Sequence, residues 1–341
     1  MEYSAKAILD TVVGANANRE DLTNTLYLTD GPARPIVQSA PHVPATNTTH
    51  QWREIGLNVA GRTNVAGGGA TYAESGLPNA AQKTPARLTN ETCNVGRLAQ
   101  VSDNEMAAFN GGNSVNLAQG EMERLIQNAM DVAAALVGIE VMNQIEWIMV
   151  SGDASQTTME GGEADGLVKW VTAGGYVVGT GGTTGAPVNM TEQFLKDAGR
   201  GVAKTYPTLH FDTFLVPPEL IPDINSYIAD GAGRPLVVVA SGDNSGLVGG
   251  HQVGVYNDGY AAIKIEMEPY LSPAYNSSIA QCAIIGYRKS QVKIADLIPF
   301  GANPLAKTDT TIKRLVNWVG TQEHSVAKHT AIIPNVQSAI P

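Results

Sequence analysis

Between Ser114 and Met149 the apolar positions fall at three- and four-residue steps: Met122, Leu125, Ile126, Ala129, Val132, Ala133, Leu136 and Val137. That spacing puts them on one stripe of a helix. Glu121, Glu123, Arg124, Gln127, Asn128 and Asp131 fall mostly on the other side. Ser114 suits the N-cap, acidic residues crowd the first turns, and Ser151-Gly152 supplies a stop. At about 1.5 Å per residue this helix is roughly 50 Å long, where an ordinary globular helix has about three turns. Gly120 and Gly138 each cost up to about 1 kcal/mol against alanine and mark places for a bend. Gly138-Ile139-Glu140 interrupts the apolar seam, which excludes a sustained coiled coil. No run reaches about 18 apolar residues, and Asp131 and Glu140 bracket the most apolar part, which argues against a membrane span. What remains is a spine under an extended subunit.

The pattern elsewhere is arranged around that spine. Residues 1–48 resemble an arm: a short helix over Ala5–Val13, then Leu26-Tyr27-Leu28, then a stretch whose four prolines enforce extended backbone and forbid a helix. From Thr49 to Arg62, Ile55, Leu57 and Val59 alternate with Gly56, Asn58 and Ala60, which predicts a strand. A second strand runs from Arg87 to Val101. The intervening stretch has no core-forming pattern and contains Gly67-Gly68-Gly69. A two-stranded finger fits, and an isolated ribbon is marginal in water, so it needs a surface to lie on. After the spine, residues 151–189 hold ten glycines and predict a loop with a short strand pair, Leu167–Val171 and Tyr176–Val178. A helix follows, capped by Thr191, with Phe194, Leu195 and Ala198 on its face. Strands over His210–Val216, Pro235–Ala240, Val253–Tyr256, Ala261–Met267 and Gln281–Tyr287, with a helix at Glu219–Ile228, predict an α/β lobe. Thr310–Trp318 and Ser325–Ile333 return as strands. No period of 20–50 residues repeats, which excludes a solenoid.

Charge and composition narrow the function classes. Lys and Arg number 22 against 32 Asp and Glu, a net charge of −10 without a basic block, which argues against base-specific nucleic-acid reading. Charged residues make up only 16% of the chain and glycine occurs 36 times, a composition suited to a surface largely covered by copies of itself. Cys93 and Cys282 fit no ligand or redox spacing, and two cysteines cannot build a disulfide framework, which favours a reducing compartment. Glu2 stands where a secretion signal carries positive charge, and the apolar run behind it is short.

Candidate chemistry is thin. The glycines of Gly179–Gly185 lack the spacing of a dinucleotide fingerprint and precede no helix directly. Ser290/Lys293 and Ser325/Lys328 match SxxK and Ser102-Asp103-Asn104 matches SDN, as in penicillin-recognising enzymes, but the order is wrong and KTG is missing. His324 and His329 are five apart with no third ligand nearby. Glu266 and Glu268 alternate with Ile263, Ile265 and Met267, which places them with Lys264 on the solvent face of a half-buried strand. Glu140 and Glu146 sit among apolar neighbours on the spine, and an ion pair with Arg200 or Arg288 is the expected reason.

The order of arm, finger, spine, glycine-rich turn, helix, lobe and returning strands resembles the major capsid proteins of tailed bacteriophages with the HK97 fold. Particular stretches carry the resemblance further. Asn47-Thr48-Thr49-His50-Gln51-Trp52 is similar to the start of that family's extended loop, and Tyr72-Ala73-Glu74-Ser75-Gly76 to its outer turn. Val101-Ser102-Asp103 before the spine, Glu146-Trp147-Ile148-Met149-Val150-Ser151-Gly152 at its end, and Gly166-Leu167-Val168-Lys169-Trp170 after it are also similar. So are Phe214-Leu215-Val216-Pro217-Pro218 and Ala331-Ile332-Ile333-Pro334-Asn335. The Gly/Ala-rich tip and the less acidic surroundings of Trp52-Arg53-Glu54 depart from the family pattern.

The resemblance implies an α+β fold with an amino-terminal arm over 1–48 and an extended loop over 49–105. A peripheral domain over 106–209 would contain the spine at 114–149, an axial domain would span 210–300, and peripheral strands would return over 301–341. It implies a structural, non-enzymatic subunit of an icosahedral phage head, with no cofactor or metal. Intersubunit contacts are expected through Trp52, Ile55, Leu57, Tyr72, Glu74, Lys83 and Arg87 of the extended loop. On the spine the expected key positions are Leu125, Ala129, Leu136, Glu140 and Glu146. The implied partners are the chain itself in hexamers and pentamers, a portal, a separate scaffolding protein, cement or decoration proteins, and packaged double-stranded DNA touched without sequence reading. A built-in amino-terminal scaffold is not expected, nor is a membrane. Assembly in the host bacterial cytoplasm into a virion follows from the same resemblance. An encapsulin-type cage shares the fold, and a soluble α/β enzyme is the remaining alternative; the enzyme would show convergent polar groups in one pocket.

Overall fold

The computed structural model describes residues 33–54, 86–102, 129–155, 163–205, 210–229, 255–257, 259–306, 311–325 and 327–340. Expectations for the helix at Ala5–Val13, Leu26-Tyr27-Leu28, the finger between 55 and 85, the spine's first half and the strand Pro235–Ala240 lie outside these residues.

The first described element, helix α1 (Pro35–Ser39), corrects an expectation, because proline here begins a helix instead of forbidding one. At the first helical position the missing N–H has no intrahelical partner to lose. Ile36 is fully buried, so this part of the arm contributes to the core. Strand β1 (His42–Pro44) follows, then the hairpin strands β2 (Thr49–Glu54) and β3 (Ala86–Glu91), paired antiparallel from Thr49↔Glu91 to Glu54↔Ala86. Strand β4 (Cys93–Ser102) continues directly into a second sheet of order β1-β11-β12-β4, where β11 is Val292–Pro304 and β12 is Thr311–His324.

The spine helix, α2, is described over Ala129–Ser151. Its buried line is Val141, Ile145, Ile148, Met149 and Val150, packed with Cys93, Val95, Ile294, Val316 and Trp318 from the four-stranded sheet. Leu136, expected on the buried stripe, is instead 45% exposed. The apolar surface is not one continuous stripe: the last turns are enclosed nearly all round by α1, the helix at Leu167–Gly174 and the sheet, so neighbours on both sides of the cylinder are buried there. Ala133–Ser151 is apolar enough in composition to cross a membrane; its second half, with Val141, Ile145, Ile148, Met149 and Val150, is buried in this core.

Helix α3 (Leu167–Gly174) overturns the expected strand at Leu167–Val171. Leu167 and Val171 are both fully buried, one helical turn apart, and the short apolar run did not distinguish the two periods. Two glycines let α3 cross the spine's end. Gly152 N–H donates to Ile148 O and Gly166 N–H to Gly152 O, each at 2.8 Å. A Cβ at Gly166 would lie 2.7 Å from Gly152 N and from Ile148 O.

The remaining elements build a seven-stranded sheet of order β5-β13-β10-β7-β9-β8, with β6 also on β13. Its strands are β5 (Tyr176–Val177), β6 (Val188–Asn189), β7 (Thr213–Val216), β8 (Val255–Asn257), β9 (Ala262–Met267), β10 (Cys282–Tyr287) and β13 (Ala331–Gln337). Helix α4 (Glu192–Thr205) and helix α5 (Ile221–Ala229) contribute Leu195, Ala198, Val202 and Ile224 to a second core with Phe211, Phe214, Ile284 and Ile333. The strand expected over Ser325–Ile333 starts at Ala331, after a 3-10 turn at Ala327–His329. The chain's last strand therefore lies in the larger sheet, between β5 and β10.

Candidate functional site

The finger's root has two unlike faces. His50, Trp52 and Glu54 point toward the body: Trp52 and Trp170 have ring centroids 5.3 Å apart, and His50 Nε2 lies 3.0 Å from Glu323 Oε2. Burial pushes the Glu323 carboxyl up, and His50 and Lys293, the latter 2.9 Å away, outweigh it and hold the group low. The other face carries Gln51, Arg53, Arg87, Thr89 and Glu91, all exposed. Arg53 stands opposite Arg87 in register, and the Arg87 guanidinium donates to Gln51. Like charges directly opposite on a ribbon repel. Of the finger residues expected in contacts, Trp52 is anchored inward and Arg87 is exposed with its guanidinium on Gln51; Ile55, Leu57, Tyr72, Glu74 and Lys83 lie outside the described residues.

On the spine, Glu140 pairs with Arg97 of β4 and not with Arg200 or Arg288. Sequence separation of 43 residues hid this partner, which only sheet register places beside the helix. The same side has an open groove of about 520 Å³ lined by Arg97, Glu140, Asn143, Gln144, Trp147 and Tyr275. Trp147 is held at its base, its Nε1–H donating to Asn276 Oδ1 at 2.8 Å. Since Arg97 points at the spine, alternation turns Leu98 to the sheet's opposite face. Leu98 pairs with Leu315, and on the same sheet Ile298 pairs with Val319. Leu98 and Ile298 are about half exposed. Leu125 lies outside the described residues; Ala129 is the first described residue of the helix.

Glu146 is fully buried, with neither expected arginine. Its Oε1 accepts from Ile36 N–H at 2.8 Å and its Oε2 from Val37 N–H at 2.7 Å. Glu268 corrects another expectation. It is fully buried instead of facing solvent, and its carboxyl meets that of Glu146. The alternation of β9 ends at Met267, and Glu268 caps the 3-10 turn Pro269–Leu271 by accepting from Tyr270 N–H at 3.1 Å. Glu266 stays near the surface but is engaged by Lys264 at 2.8 Å and Lys289 at 2.6 Å.

Groups that could do chemistry do not converge among the described residues. Three or more His, Cys, Asp or Glu side chains placed to hold a metal are not found there. Burial pushes the Cys93 thiol up to about 11 and, with Glu219 beside it, Cys282 up to about 12, so both are poor nucleophiles. Lys293 of the first SxxK pair is bound to Glu323. What the chain offers is surface: a charged ribbon face, an apolar sheet face and a groove along the spine.

Comparison with known proteins agrees with that emphasis. No curated protein matches the chain. Among solved structures, it is similar to a protein of Gordonia phage Cozz at 12% identity and a TM-score of 0.59, covering 98% of this chain and 96% of the other. A structure described as the capsid of a native GTA particle, computed with C5 symmetry, is similar at 12% identity and a TM-score of 0.60, covering 96% and 98%. The holo-SrpI encapsulin complex from Synechococcus elongatus PCC 7942 is similar at 10% identity and 0.54, covering 95% of each. These likenesses establish the fold, the mixed helix-and-sheet HK97 type that the sequence resembles. The family model of the SU10 major capsid protein matches residues 9–337, nearly the whole chain. The protein is therefore a phage capsid subunit, a member of the SU10 major capsid protein family.

Proposed function

We propose that the subunit closes the phage head through three surfaces: the exposed face of the finger root, the apolar outer face of the four-stranded sheet, and the spine groove. The observation that carries this reading is the set of large apolar side chains left uncovered in the single chain. Among the described residues, five of the eleven exposed large apolar side chains, Leu98, Leu136, Ile298, Phe300 and Leu305, belong to the spine, its sheet or that sheet's end, and Tyr275 lines the groove beside them. Exposed apolar side chains concentrated on one part of a subunit mark contact sites. Arg53 and Arg87 add specificity, because a neighbour's carboxylate relieves their repulsion. In this reading residues 49–105 form the extended loop, 106–209 and 301–341 the peripheral part, and 210–300 the axial part. The same reading supplies the partners: copies of the chain in hexamers and pentamers, a portal at one vertex, a separate scaffolding protein, cement proteins on the outside, and double-stranded DNA inside. The net charge of −10 and the lack of a basic block suit loose, sequence-independent contact with that DNA. Assembly takes place in the host cytoplasm.

Charge reversal tests the reading. Arg53→Glu with Arg87→Glu should leave the circular dichroism spectrum and unfolding of the subunit unchanged while abolishing closed shells. Normal shells from the double variant overturn it. Likeness to an encapsulin supports a second reading, a cellular cage. Purified particles holding DNA favour the head, and particles holding a protein cargo favour the cage.

A further inference from the structure

Glu146 and Glu268 come from distant parts of the chain, the spine and the end of β9, and meet with both side chains fully out of solvent. The two carboxyls are not equivalent. Glu146 accepts two backbone N–H groups, from Ile36 and Val37, one on each oxygen. Glu268 accepts one, from Tyr270, through Oε1. Its Oε2 is buried with no N–H or hydroxyl donor among the described residues. Two carboxylates cannot share such a site without strong repulsion, and one proton between them resolves it. The donors fix where that proton sits. Burial pushes both carboxyls up, but Glu146, with Glu268 beside it, an N–H on each oxygen and the charge of Arg34 nearby, is held the lower of the two, which leaves Glu268 as the group that keeps the shared proton.

We propose that this pair is a proton-dependent latch holding residues 33–40 on the spine, closed while Glu268 keeps its proton and released when the proton is lost. The N–H groups on Glu146 belong to α1, the last described part of the arm before β1, so the pair ties arm, spine and larger sheet at one point. Burial pushes Glu268 well up, the neighbouring Glu146 charge pushes it further, and only the Tyr270 N–H opposes. Among the described residues, few other titratable groups face the site. Arg34 precedes α1. The Tyr287 phenol of β10 is driven up by burial and by Glu266, and touches Ser39. Glu266 is already neutralised by Lys264 and Lys289, and Asp212 adds to the charges that raise Tyr287. None of these supplies a second proton to the pair.

The sign follows from linkage. A carboxyl whose value is raised in the closed state binds a proton that the open state releases above its ordinary value of 4.5. Because burial raises Glu146 as well, latch closure is strongest below about pH 4.5 and weakens above it, by about tenfold per pH unit once Glu146 has ionised, until Glu268 itself ionises. Hydrogen–deuterium exchange of the peptide covering residues 33–40 in the full-length protein reads this. After correction for intrinsic exchange, wild-type protection should fall by up to tenfold per unit between pH 5 and 8. Glu268→Gln, whose amide still donates to Glu146 but cannot ionise, should flatten the profile. A second measurement needs no variant: at pH 7 the infrared spectrum should keep the carbonyl stretch of a protonated carboxylic acid, and the variant should lose it. Equal pH dependence in wild type and Glu268→Gln, or no protonated band at pH 7, overturns the latch.

Discussion

Leu136 and Met149 lie on the same helix, yet truncating them should damage different things. Met149 is fully buried in the core between spine and sheet, whereas Leu136 is 45% exposed. Met149→Ala removes buried atoms and leaves a cavity, which costs about 2–5 kcal/mol of subunit stability. Leu136→Ala removes atoms that are half in water already, so the isolated subunit should lose only about 0.5 kcal/mol or less, as exposed sites do. The area still exposed at Leu136 is available to a neighbour. Fully burying a leucine is worth about 1.5–3 kcal/mol, so covering the remaining half contributes about 1 kcal/mol per copy. Such a loss raises the protein concentration at which shells appear about fivefold. Urea unfolding of the dissociated subunit and light scattering during assembly separate the two effects. Met149→Ala should shift the unfolding midpoint; Leu136→Ala should leave it in place and delay shells. If Leu136→Ala destabilises the subunit as Met149→Ala does, or leaves the assembly threshold unmoved, the spine is not a contact surface.

Ala134→Pro in mid-spine removes one helical hydrogen bond and clashes with the preceding turn, costing about 3 kcal/mol or more; a lowered melting temperature with no shells is expected. Replacing residues 62–85 by an Asn-Gly turn removes few large apolar groups and changes loop-closure entropy by less than about 2 kcal/mol, so the melting temperature should hold while shells fail. His324 is fully buried and burial lowers it to about 4 from 6.5, so its neutral form is the folded one. The unfolded chain binds the proton first, and stability should fall as pH drops from 6.5 toward 4, by roughly 3 kcal/mol in the limit. Unfolding titrations of His324→Gln against wild type should show a smaller acid slope.

The elements carried by local periodicity were legible in the sequence. Residues 129–149 form a helix, and the finger begins with strands at Thr49 and near Arg87. Local signals failed where a non-local surface decided the outcome. Leu167–Val171 holds too few residues to separate period two from 3.6, and packing under the spine made it helical. Glu268 followed the alternation of β9 on paper, but the strand stops one residue earlier. The parallel pairing of β1 with β11, His42↔Ile294 onward, joins segments some 250 residues apart and leaves no trace in either. The partners of Glu140 and Glu146 were missed for the same reason. Arg97 comes from an adjacent strand, and backbone N–H groups carry no sequence signal at all.

Sedimentation with electron microscopy of the purified full-length protein, alone and with a co-expressed scaffolding protein, tests the central claim most directly. Closed icosahedral shells built of hexamers and pentamers are expected. A species that stays monomeric at high concentration in every salt condition, with scaffold present, contradicts it.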